Sequence, residues 1–185
     1  MITDTTNDVA ITDTPEATEI PMRVLRVATT SSLSNRSTLG YAIGCDDSGA
    51  VFLSLRSNTA AGMFSKNWIA FLDMAEQLLH ADKITSSTLL PLYADTSRNN
   101  AGFMLAVLLG EGLVCPFERH YQRKDFKPFL HHLKVLMNAG VELGDADAAL
   151  EALDASEALA VDEADVEVPP MEIPAAKRGR PSKRS

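Results

Sequence analysis

The chain has 185 residues, 45% of them hydrophobic, and a formal charge of −8. That size suits one compact domain with tails, and no stretch approaches the roughly 20 apolar residues that span a bilayer. Cys45 and Cys115 form neither a CxxC pair nor a metal-ligand cluster, which points to a reducing compartment.

Charge is unevenly placed. Residues 1–21 hold five acids and no Lys or Arg, and residues 22–140 hold 12 Lys and Arg against 9 Asp and Glu, a net of +3. Residues 141–176 hold 11 acids and no Lys or Arg, and residues 177–185 hold five cations and no acid. A faintly basic body is thus flanked by two acidic segments and closed by a basic tip.

The first 21 residues lack the basic start and apolar run of a signal peptide. Their Thr- and Asp-rich composition predicts a disordered arm. The expected location is cytoplasmic, on the nucleoid if the host is bacterial, with no membrane contact.

The body then begins with a candidate strand, RVLRVATT at 23–30. LGYAIGCDDSGAVFLSLR at 39–56 reads as two strands about the turn Asp46-Asp47-Ser48-Gly49. In the following FSKNWIAFLDMAEQLLHA, Trp68, Phe71, Leu72, Ala75, Leu78 and Leu79 form a helical stripe.

The second half gives the same reading. STLLPLYA at 87–94 is a candidate strand, and two apolar runs about Gly110-Glu111-Gly112 follow as two more. A helix comes last, striped by Phe126, Phe129, Leu130, Leu133, Leu136 and Met137. A shift of 58 places superimposes the two helical stripes and matches Lys66 with Lys124 and Phe71 with Phe129. Pro116 breaks the symmetry, because proline lacks the donor a strand interior needs. The expected fold is therefore α+β: two tandem β-β-β-α repeats, about 22–82 and 83–140, whose antiparallel sheets pack with two helices. In topology alone, residues 22–140 resemble the Whirly and PUR families of single-strand binders. That resemblance implies nucleic-acid binding on the sheets and transfers no individual residue.

Beyond the body, 141–176 reads as an acidic linker with a short helix starting after a cap at Asp145. The end of the chain carries the sharpest motif: Arg178-Gly179-Arg180-Pro181, flanked by Lys177, Lys183 and Arg184, resembles an AT-hook. Glycine lets the backbone approach the floor of a narrow A·T minor groove and proline keeps it extended. Two arginines can then lie where the potential is most negative. Lys177 stands where AT-hooks usually carry a first proline.

For the body, the phosphate candidates are Arg23, Arg26, Arg36, Arg56, Arg98, Arg119, Arg123, Lys124 and Lys127. ERHYQRKDFK at 118–127 is the densest basic stretch, and Tyr41, Phe103 and Tyr121 are candidates for stacking on bases. Catalysis is not expected. The sequence holds no P-loop, GxGxxG, HExxH or GxSxG, and neighbours His131 and His132 cannot both face one site. Neither a cofactor nor a metal is expected. The expected partner is DNA, as A·T-rich duplex or single strand. The alternative is a protein-interaction or dimerisation module, possessing a homodimer or another protein as partner, whose basic tail only localises it.

Overall fold

The computed structural model describes residues 22–60 and 62–162. Three long strands open it: β1 (Arg23–Ser31), β2 (Thr38–Cys45) and β3 (Val51–Asn58). A two-residue strand, β4 (Ile69–Ala70), leads directly into α1 (Phe71–His80). All four strands pair antiparallel in the order β1-β2-β3-β4. The turn between β2 and β3 is held by Asp46, whose Oδ1 accepts the N–H groups of Ser48 and Ala50, both at 2.9 Å. The Ser48 hydroxyl, which donates to the same oxygen at 2.6 Å, and after it the backbone N–H bonds hold the Asp46 carboxyl below the usual range.

The second half departs from the expected repeat. Residues Ser86–Tyr93 form a 3₁₀ helix, not a strand. Thr85 and Thr88 bond reciprocally at its start, and Pro91 removes a donor that a strand would need. The apolar run after it is α2 (Asn99–Gly110). A continuously apolar run has no period to separate strand from helix. Here twelve residues that include three Leu, two Ala and a Met favour the helix, with Ala101 and Met104 to Leu108 buried between the sheet and the 3₁₀ helix. Gly110-Glu111-Gly112 is then a helix stop. Gly112 takes φ 69°, and Leu113 N–H reaches back to the Leu108 carbonyl at 2.9 Å. Only β5 (Val114–Phe117) and β6 (His120–Arg123) are strands in this half, a separate hairpin ahead of α3 (Lys127–Asn138). The element order is 3₁₀-α-β-β-α, so the two halves do not share a topology.

One side of the sheet, through Leu25, Tyr41, Ile43, Leu53 and Leu55, packs on α1, α2 and α3 in the main core. Along α1 the buried positions are Phe71, Met74, Ala75 and Leu78. Leu72 and Leu79 point to solvent, and Trp68 lies before the helix on the other side of the sheet. The helix therefore starts later than its apolar stripe suggested, and is rotated with Met74 inward.

That other side is covered by a helix that composition had assigned to a linker. α4 (Ala146–Asp162) starts at the expected cap: Asp145 Oδ1 accepts the N–H groups of Asp147 and Ala148 at 3.1 and 2.9 Å. Ala146 packs with Val24 and Ala42, and Leu150 is buried over Gly40. Lys66 adds an exposed ion pair to Asp147 at 2.6 Å. Two buried apolar residues one turn apart are enough to dock an otherwise acidic helix.

Gly40 is the contact that allows this approach. A Cβ there would lie 2.3 Å from both Leu150 Cδ2 and Ser57 Oγ. Gly40→Ala is expected to cost about 1–3 kcal/mol of stability by overpacking, and Leu150→Ala in the same chain should return part of that loss. Urea titrations of the two variants check it.

Candidate nucleic-acid interface

The stretch 118–127 folds as the tip and second strand of the hairpin and the approach to α3. β5 and β6 pair Phe117 with His120 and Val114 with Arg123, which leaves Glu118 and Arg119 at the turn. Glu118 takes φ 52°, a left-handed conformation that most side chains avoid. The Lys124 N–H returns to the Leu113 carbonyl at 2.9 Å, which fixes the exit of the hairpin. Asp125 Oδ1 accepts the Lys127 N–H at 3.0 Å, and Pro128 sits in the first turn of α3. Phe126 and Phe129 then lock that end of α3 to Phe71 of α1, with ring centroids 5.4 and 5.2 Å apart.

This frame gathers the predicted cations. Arg123, Lys124 and Lys127 line one shallow depression with Asp125, Phe126 and Leu130, and the Arg123 guanidinium lies 5.8 Å from the Phe126 ring. Arg119 is exposed at the hairpin tip. Sequence reasoning missed the continuation of the surface: His131, His132 and Lys134 are all exposed on α3. It also missed Phe117, which keeps 43% of its surface exposed beside His120. The stretch 118–134 holds five Lys and Arg against two acids, Glu118 and Asp125. The described acids of α4, Asp147, Glu151 and Asp154, belong to a helix on the opposite side of the sheet.

Several predicted residues do not join this surface. Arg56 lies on β3 with its guanidinium 4.5 Å from the Trp68 ring, on the α4 side. Burial lowers its pKa, and Asp147 and Asp145 partly offset that. Tyr121 is half-buried against the main core, and its backbone bridges Ile84. Phe103 and Arg98 line a separate recess with Ser32 and Ser34. Arg23 donates to the Met137 carbonyl at 3.1 Å.

Arg26 and Tyr41 are tied up together. A bulge in β1 inserts Leu25 between the pairs Val24–Gly44 and Arg26–Ile43. An extra residue re-aims the side chains after it, and Arg26 reaches Glu111 at the end of α2. Tyr41 donates its hydroxyl to the same carboxylate oxygen. The Glu111 side chain is only 4% exposed and sits where the helix dipole disfavours an anion. Arg26 therefore balances a charge that α2 cannot. Burial, and next the bond to Glu111, raise the Tyr41 pKa far above its ordinary value. The three residues are 15 and 70 places apart in sequence, and no spacing rule connects them.

The AT-hook-like residues Lys177, Arg178, Gly179, Arg180, Pro181, Lys183 and Arg184 lie outside the described residues, as does the first acidic arm. Among the described residues, no group of three or more His, Cys, Asp or Glu could hold a metal ion, and no helix is long and apolar enough to cross a membrane. No protein-family model, curated protein sequence or solved structure matches this chain.

Proposed function

We propose that the protein is a non-enzymatic nucleic-acid-binding accessory or regulatory protein with two contacts. The hairpin–α3 surface takes backbone phosphates, and the tail 177–185 takes the minor groove of A·T-rich duplex. The observation that carries the first contact is the convergence of Arg123, Lys124 and Lys127 on one open depression, with Arg119 at the adjoining tip. Cations that outnumber the acids beside them, Asp125 and Glu118, and that stand apart from the acids of α4 present a net positive field to a polyanion. Exposed Phe117 adds a ring on which an unpaired base can stack, which favours single strands at this surface. The second contact is supported by the Arg-Gly-Arg-Pro motif within five cations.

Fluorescence anisotropy tests both contacts, with the full chain and a chain ending at residue 176. On A·T-rich duplex the full chain should bind more tightly than on G·C-rich duplex, and Arg180→Ala should remove most of that preference. Loss of the five tail cations should reduce the log–log salt slope by about 4. The shortened chain should still bind single-stranded oligonucleotides. If it binds none, the body has another role; if the full chain shows no A·T preference, the groove reading falls.

A further inference from the structure

Among the described residues, β1 stands at the outer edge of the four-stranded sheet and has a strand neighbour only on its β2 side. A strand in that position turns alternate N–H and C=O groups outward. At its start the chain covers the edge itself, where the Leu143 N–H donates to the Val24 carbonyl at 2.9 Å. From Arg26 to Ser31, no backbone group among the described residues pairs with β1 on that side. The stretch Val27-Ala28-Thr29-Thr30 is uncharged and rich in β-branched residues. It holds no proline or lysine of the kind that protects natural edges. Beside it, a mostly apolar recess opens between β1 and α4, walled by Val27, Leu143, Ala149, Ala152 and Leu153, with Arg26 also in its lining. α4 thus carries a second small apolar stripe, next to the pair Ala146 and Leu150 that docks it on its own sheet.

We propose that this edge is where a second copy of the chain binds. Two β1 strands pair antiparallel about a two-fold axis, which joins the sheets of both protomers, and the Ala149–Leu153 stripes of the two α4 helices meet over the joint. Charge selects the direction. Antiparallel pairing sets the Arg26 end of each strand against the Thr29–Ser31 end of the other, whereas parallel pairing would stack Arg26 on its own copy. Symmetry then closes the assembly at two. Six paired residues span about 20 Å, and two layers of helix about a sheet span about 25 Å. The joint therefore buries about 500 Å² per protomer, near the lower limit for a specific complex. An interface of that size suits a weak, reversible dimer, with the micromolar range the one to test. It needs no nucleic acid, so it stands independently of the binding proposed above.

Sedimentation velocity of the full chain at roughly 1 and roughly 200 µM brackets that range. The mass should rise from 20.0 kDa towards twice that value. Ala152 is exposed, so Ala152→Glu should leave the circular dichroism spectrum unchanged while weakening the dimer by about tenfold or more through like charges at the joint. Hydrogen exchange of residues 26–31 should slow at the higher concentration in the parent chain only. A monomer at both concentrations overturns the proposal. So does a dimer indifferent to Ala152→Glu, or protection of 26–31 already complete in the monomer, which would place a segment of the same chain along the edge.

Discussion

Arg26→Ala should destabilise the protein by about 3 kcal/mol, a large share of the margin of an ordinary domain. The reason is what the substitution leaves behind. Glu111 remains with its side chain 4% exposed, at the negative end of α2, with the Tyr41 hydroxyl as its one remaining side-chain donor among the described residues. Arg26 itself keeps 34% exposure, so water replaces part of its charge and the loss falls at the low end for a broken buried pair. Removing both charges as Arg26→Met with Glu111→Leu should cost less than Arg26→Ala alone, because no uncompensated anion is left. Urea denaturation of the single and double variants measures the coupling. A double variant as unstable as the sum of its singles would show that the pair contributes nothing as a pair. The same network sets an alkaline limit. The Tyr41 pKa is raised in the folded chain, so its contribution is complete below the unfolded value of about 10 and is lost as pH rises beyond it. Tyr93, raised by burial alone, acts in the same direction. Tyr41→Phe should therefore flatten the loss of stability above that pH without abolishing it.

The sequence was most legible where a local period met a turn of recognisable chemistry. Alternation along Val51–Arg56 and the Asp46–Gly49 turn place β2 and β3 within two residues of their observed bounds. Asp145 likewise marks the start of α4. Legibility failed where the local pattern was degenerate. Residues 101–109 are apolar at almost every position, so only tertiary packing shows a buried helix, and Gly112 reads as a strand turn or a helix cap with equal ease. Acidic composition also hid the docking of α4, which depends on Ala146, Leu150 and the space left by Gly40. For the candidate interface, clustered sequence made Arg119–Lys127 readable, since a hairpin and a helix start keep neighbours together. Arg56 falls on the α4 side, apart from that cluster, because a strand period does not say which side of the sheet a helix will cover.

Replacing Arg119, Arg123, Lys124 and Lys127 together by Ala should weaken single-strand binding by about a hundredfold to a thousandfold near physiological salt. It should also lower the log–log salt slope by about 3, four contacts at about 0.7 each. All four side chains are exposed, and the bond that Lys127 makes to Asp125 uses its main-chain N–H, so the fold should survive. Arg36→Ala with Arg98→Ala, also exposed but outside the 118–134 stretch, should change the slope by much less. The two proposed contacts also make the effects interdependent. A body and a tail joined by one chain raise each other's local concentration on the same nucleic acid, so loss of either should cost more than its own phosphates. On a long duplex with a single-stranded gap beside an A·T tract, the fourfold variant and the chain ending at residue 176 should each lose more affinity than on short separate ligands. Equal losses on both substrates would mean that body and tail do not engage together, and binding would then belong to whichever part keeps it alone.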